Sequence, residues 1–325
     1  REREGQIRKL PIDAIGLALL VVWVGAMQVM LDLGKEHDWF HSSMVVTLAV
    51  VAVVGFIAFL IWELTETHPV VDLTLYQRRN FWAGSLALSI AYGVFFGNVV
   101  LLPLWLQQYM GYTATQAGMV LAPVGLMALV LSPVVGKSIG KVDPRYFATF
   151  AFLVFALVLW MRSHFNTQAD IATIMVPTII QGVAMAFFFI PLVTITLSGL
   201  PPERIPAASG LSNFTRITAG AVGTSVATTL WESRAAMHHA HLVESITLGN
   251  PIASGALSGL ASSGINAEQA LAQVNRMVDQ QAFMLAVNDI FYMSAALFLL
   301  LIPLIWMTQP PKARMGNADA AAGAH

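Results

Sequence analysis

Eight stretches of this chain are long and apolar enough to cross a lipid bilayer. They are Ile12–Leu31, Met44–Trp62, Phe81–Leu106, Gln116–Gly136, Tyr146–Met161, Ile171–Leu200, Ile205–Trp231 and Ala282–Met307. An α-helix rises about 1.5 Å per residue, so roughly 20 apolar residues match the hydrocarbon thickness. Lipid offers no hydrogen-bond partner, and a spanning segment must satisfy its own backbone, as a helix does. The sequence therefore reads as all-α, a polytopic membrane protein with eight transmembrane helices and lipid as its solvent.

Composition agrees: 57% of residues are hydrophobic and 11% charged, against about 25% charged in ordinary soluble domains. A net charge of −1 gives no basic surplus for nucleic acid. Cysteine is absent, which removes disulfides and thiolate metal sites. The opening Arg1-Glu2-Arg3…Arg8-Lys9 precedes an apolar run too long for a signal peptide and without a cleavage site, so it reads as a cytoplasmic segment before a true span. The chain begins on arginine rather than methionine and is read as a piece of a longer protein.

Orientation follows from the Lys and Arg positions. With the N-terminus inside, the cytoplasmic segments hold Arg1, Arg3, Arg8, Lys9, Arg78, Arg79, Lys137, Lys141, Arg145, Arg204, Lys312 and Arg314; the outer segments hold Lys35, Arg162, Arg234 and Arg276. Both termini are then expected in the cytoplasm. Asp143-Pro144-Arg145 reads as an N-cap, a proline at the first helical position and an interfacial charge. Trp39, Trp62, Trp82, Trp105, Trp160, Trp231 and Trp306 fall near predicted ends, where an aromatic belt would sit. Arg145 and Arg162 are expected to snorkel from the short span Tyr146–Met161. Glu232–Gln281 reads as one long, mobile, Gly/Ser/Ala-rich loop with a short amphipathic helix over Asn266–Asp279, and the tail 312–325 as disordered.

The run Phe189-Ile190-Pro191 through Pro202-Glu203-Arg204, followed by Ala208-Ser209-Gly210-Leu211-Ser212-Asn213-Phe214-Thr215-Arg216, closely resembles EmrB/QacA-type drug:proton antiporters of the major facilitator superfamily. So do Leu31-Asp32-Leu33-Gly34-Lys35 and Tyr109-Met110-Gly111-Tyr112-Thr113 with their neighbours. The resemblance implies about fourteen helices built from inverted repeats in the full family fold. Residues 1–65 would supply a cytoplasmic segment and the central linker pair, and residues 66–311 a C-terminal six-helix half with a periplasmic loop at 232–281. The family's proton-linked acid in its first helix has no counterpart here. By the same resemblance, Pro133–Arg145 is the cytoplasmic gating loop, with Gly136, Lys137, Lys141, Asp143 and Arg145 as its candidates. The acid that the family often carries near Gly140 is missing.

Arg216 lies near mid-membrane depth, where a charge costs at least ~2.5–3.5 kcal/mol and so should face a cavity or an acid. Asn213 and Gly220 share its face, and Ala208, Ser212, Arg216, Gly220, Thr224 and Thr228 form a small or polar stripe whose simplest reading is helix packing. Asp289 is the one acid read inside a span; it is either a proton relay or substrate contact beside Asn288 and Tyr292, or an interfacial residue. Asp32 closes the first span and reads as a solvated end residue paired with Lys35, with a coupling role as the less favoured alternative. Tyr92, Asn98 and Gln181 are the uncharged pathway candidates, among phenylalanines and methionines that can repack around varied ligands. Met237-His238-His239-Ala240-His241 lacks an acid or cysteine to complete a metal site and reads as a solvated loop.

No phosphate-binding loop, dinucleotide fingerprint or hydrolase nucleophile motif is present, so the expectation is a secondary transporter, not an enzyme, driven by the proton motive force without a cofactor. The resemblance implies export of amphipathic small molecules across the bacterial inner membrane, with a periplasmic adaptor and an outer-membrane channel as partners. The alternatives are a non-transporting, truncated membrane interaction module, and an exporter of a fatty acid, siderophore or other metabolite.

Overall fold

The computed structural model of the chain describes residues 13–67, 69–139, 141–244, 246, 250–262, 264 and 266–310. The basic cluster Arg1–Lys9, Gly140 and the tail 312–325 lie outside the described residues. The described residues form α1 (Ala14–Leu33), α2 (Ser43–Thr65), α3 (Arg79–Gln108), α4 (Ala114–Ser138), α5 (Pro144–Arg162), α6 (Ile171–Ala186), α7 (Phe189–Leu197), α8 (Ile205–Glu244), α9 (Pro251–Ser262) and α10 (Ala267–Trp306), with three short 3-10 turns and no strand among them. The all-α expectation holds.

Among the described residues, seven helical segments are long and apolar enough to cross a membrane: α1 to α5, α6 with α7 as Ile171–Leu197, and α10. The eighth expected span lies in α8. Its Ser, Thr, Gly and Asn residues and Arg216 dilute the apolar content below that of the other seven.

Local chemistry sets several boundaries. Asp143 caps α5 by accepting from Arg145 N at 3.0 Å, with Pro144 at the first helical position, as the sequence predicts. Thr113 and Gln116 form a capping box on α4, and Asn266 and Gln269 form one on α10. Asp170 caps α6; hydrogen bonds from the Thr173 hydroxyl and backbone hold its carboxyl below the ordinary range. The expected span Ile171–Leu200 is broken at Phe187–Phe188. Pro191 has no N–H to donate to the Phe187 carbonyl and its ring crowds that carbonyl, so α6 ends in a tight turn and α7 restarts.

The segment Glu232–Gln281 differs most from expectation. Helix α8 continues to Glu244, α9 fills Pro251–Ser262, and α10 begins at Ala267 and runs unbroken into the last span. The expected amphipathic helix over Asn266–Asp279 is thus the first part of α10. His238, His239 and His241 lie on α8 and not in a loop. These polar turns hold their own backbone hydrogen bonds without an apolar stripe, so periodicity does not reveal them.

The chain divides into two compact units: Arg1–Arg78 with Pro201–Phe214, and Arg79–Leu200 with Thr215–His325. In the first unit α1 and α2 form an antiparallel pair closed by the turn Trp39–His41. Gly55 lies where a Cβ would come within 2.9 Å of Trp23 Cβ, so the helices meet at van der Waals distance there. Trp23 packs edge-on to Phe56 and Phe214. Asp13 accepts from Trp62 Nε1 at 2.9 Å, and the buried Glu63 accepts from Val71 N at 3.0 Å, which pins the chain leaving α2. Asp32 accepts from Gln28 Nε2 at 3.0 Å.

The second unit has an aromatic core. Phe155 stacks on Phe298 at 4.9 Å between ring centroids, and Phe95 and Phe188 meet Phe155 edge-on at 5.8 and 5.3 Å. Trp105 and Trp231, expected in an interfacial belt, are instead buried: Trp105 stacks on Phe165, and Trp231 donates Nε1–H to Phe283 O at 3.0 Å. Outward faces stay apolar, as with Leu129 on α4 and Leu300 on α10, which suits a hydrocarbon solvent.

Candidate functional site

Arg216 projects from α8 over two aromatic rings. Its guanidinium carbon lies 4.9 Å from the Tyr92 centroid and 5.4 Å from that of Phe189. Tyr92 in turn packs on Phe96 at 4.4 Å and on Phe189 at 5.7 Å. The electron-rich faces attract the cation. Gly220, one turn along α8, makes room for this arrangement: a Cβ there would lie 2.9 Å from the Tyr92 ring. Tyr92, Arg216 and Gly220 thus come together. Asn213 is exposed and falls in the first unit.

The small-residue stripe of α8 packs one register away from the expected one. Ala219, Gly223 and Ala227 meet α3, where a Cβ on Gly93 would stand 2.7 Å from Ala219 O and one on Gly97 2.8 Å from Ala227 Cβ. Gly223 is tighter still, with Gly93 backbone against it. Backbones approach this closely only where side chains are absent.

Arg162 overturns the snorkelling expectation. It is 1% exposed and turned inward, and its Nη2 donates to Gln181 Oε1 at 2.6 Å and Thr178 Oγ1 at 3.2 Å. Gln181 is buried with it. Both residues line a cavity of about 150 Å³ together with Asn98 and an apolar wall of Phe95, Val99, Leu102, Leu121 and Val124. Asn98 donates to Val94 O at 2.7 Å and Ser294 Oγ at 2.9 Å. Gln181 and Asn98 were legible as polar residues in apolar helices; Arg162 was not, because a basic residue at the end of an apolar run looks like an interfacial anchor.

Asp289 is not an isolated interfacial acid. His238 Nε2 lies 2.9 Å from its Oδ2, and Arg234 Nη1 lies 3.7 Å from the same oxygen. The neighbouring His239 sits 3.4 Å from Asp279 Oδ1. The helical continuation of α8 creates this row of ion pairs against α10, which the loop reading concealed. Asn288 faces elsewhere, donating to Phe165 O at 2.9 Å, and Tyr292 is exposed. Nearby, burial pushes the Tyr109 phenol up to about 12, helped by the charges of Asp279 and Glu232.

The expected gating loop is mostly helix. Gly136 and Lys137 belong to the last turn of α4 and are exposed, as is Lys141. Asp143 and Arg145 form a compact clasp: Arg145 Nε and Nη2 donate to Asp143 Oδ2 at 2.9 and 2.7 Å, and Nη1 donates to Thr308 O at 3.0 Å. Arg145 also lies 5.0 Å above the Trp306 ring. It is therefore tied to the end of α10 and does not snorkel. Burial raises the Asp143 carboxyl, but the Arg145 hydrogen bonds and charge outweigh it and hold the group below the ordinary carboxylate range.

Among the described residues no group of three or more His, Asp or Glu side chains is arranged to hold a metal ion. Residues 14–224 match the model of the Major Facilitator Superfamily. Multidrug export protein EmrB of Escherichia coli (strain K12) is 47% identical over 100% of this chain and 63% of its own length. EmrB of Haemophilus influenzae is 44% identical over 95% of this chain and 61% of its own. Fatty acid resistance protein FarB of Neisseria gonorrhoeae is 42% identical over 96% and 61% respectively. The chain thus spans about three-fifths of the length of these curated relatives. With its helices, its glycine-packed pair and this match over most of the described residues, the chain belongs to the Major Facilitator Superfamily.

Proposed function

We propose that the chain is the larger part of a secondary transporter that exports amphipathic drugs across the bacterial inner membrane in exchange for protons. The observation that carries this reading is the 47% identity to a multidrug export protein over the whole chain. The geometry suits it. Arg216 over the Tyr92 and Phe189 rings offers a cation on an aromatic floor, where an amphipathic ligand finds both a charge and an apolar face. Asp289, with His238 2.9 Å and Arg234 3.7 Å from its Oδ2, is the candidate proton carrier, since it is an acid within an apolar helix that faces basic partners. Both termini of this chain face the cytoplasm in this reading, and α9 with the polar turns around it meets a periplasmic adaptor that leads to an outer-membrane channel.

Drug-dependent proton flux in proteoliposomes tests the proposal, using this chain within a protein of its relatives' full length. Flux that Arg216→Ala abolishes supports it; drug-independent flux or none overturns it. Export of fatty acids is the second reading, favoured by the 42% identity to FarB. Competition between a fatty acid and a drug for the same flux separates the two.

A further inference from the structure

A guanidinium stays protonated throughout the physiological range, so Arg162 is a permanent charge with almost no contact with solvent. Its partners Gln181 and Thr178 supply neutral oxygens, which satisfy hydrogens without cancelling charge. Among the described residues no carboxylate forms an ion pair with it. Two polar atoms of the residues lining its cavity also have no hydrogen-bond partner: Arg162 Nε, a donor, and Asn98 Oδ1, an acceptor. A buried cation with a spare donor, beside a cavity, is a site shaped for an anion.

We propose that this cavity is an anion site, in which Arg162 holds a small monovalent anion, halide or carboxylate, and a water bound to that anion donates to Asn98 Oδ1. Size selects the ligand. A volume of about 150 Å³ holds about five groups the size of a water molecule, at roughly 30 Å³ each. Drug-sized ligands need roughly 300–1,000 Å³. The site therefore takes a free ion with its water, or the head of an amphipathic molecule, but not a whole drug. Gln181 fixes the guanidinium by its 2.6 Å bond, leaving Nε for the ligand, and the apolar wall strengthens the attraction by excluding water. The assignment concerns binding and does not rest on the transport reading.

Thermal unfolding of the purified full chain in detergent tests it, starting in a sulfate buffer and titrating chloride, acetate, decanoate and the uncharged control decanol. The expected result is a saturable rise in Tm with chloride or acetate that Arg162→Gln shifts to at least tenfold higher concentration. Decanoate acting at least tenfold below acetate, with decanol inert, assigns the anion to an amphipathic head; decanoate no better than acetate assigns it to a free ion. If Arg162→Gln does not fold, Leu121→Trp, which fills the cavity and leaves the charge, must abolish the response. No response in the wild-type chain, or an unaltered one in either variant, overturns the site.

Discussion

Arg216 and Arg162 are both arginines in apolar surroundings, yet their neighbours assign them different work. Arg216 rests on aromatic faces, an interaction of about 0.5–2 kcal/mol depending on desolvation. Tyr92→Ala should therefore weaken drug export roughly 2- to 30-fold, whereas Tyr92→Phe keeps the ring and most of the activity; drug-resistance titrations of cells expressing the full-length carrier read the difference. Asp289→Asn removes the acid that faces His238 and Arg234, and should flatten the pH dependence of export while the protein still inserts. A wild-type pH profile in that variant would remove Asp289 from the proton path. Asp143 carries a simpler sign. Its folded carboxyl is held below its unfolded value, so its contribution to stability is present above about pH 4 and is lost as pH falls through the lower folded pKa. Melting curves should show Asp143→Asn least stable relative to wild type near neutrality, with the gap closing in acid. The Asp143 cap and Pro144 were legible because they are adjacent in sequence, whereas the turn of Arg145 onto Asp143 and Thr308 was not, because a basic residue there reads as an interfacial charge. Nor was the inward turn of Arg162 legible, because Thr178 and Gln181 reach it from another helix.

At the scale of elements, hydropathy found the apolar helices and missed the polar ones. α8 and α10 each run for 40 residues, and only part of each is apolar. The remaining turns are held by the Asn266 capping box and by His238–Asp289 and His239–Asp279, contacts that join residues 40 to 51 positions apart. Asn266→Ala should cost about 1 kcal/mol of local stability, with amide exchange rising in residues 267–270 and not in the apolar turns of α10. The α6–α7 break was hidden for a different reason: hydropathy is continuous across Phe187 and Phe188, and backbone geometry alone interrupts the helix there. Restoring the missing N–H by Pro191→Ala should join the two helices, and a loss of export in a stably inserted variant would show that the break is used.

For the whole molecule, the expected sidedness is testable without removing any native label, because the chain contains no cysteine. Lys141→Cys should react with an impermeant maleimide only in opened cells, and Arg276→Cys in intact ones; the opposite pattern would invert the chain. Deleting α9 from the full-length carrier should leave insertion intact and abolish capture of an adaptor. The division into two units was not legible from hydropathy, since the first unit takes in 201–214 from a distant part of the sequence. Gly93 and Gly223 meet backbone to backbone. Where two backbones touch, no rotamer can give way, so the spacing of α3 and α8 works as a fixed ruler. Sliding one helix along the other would drive a carbonyl into its neighbour, so the pair travels as a single strut, and the freedom to bend falls to the interrupted chain between Phe187 and Pro191.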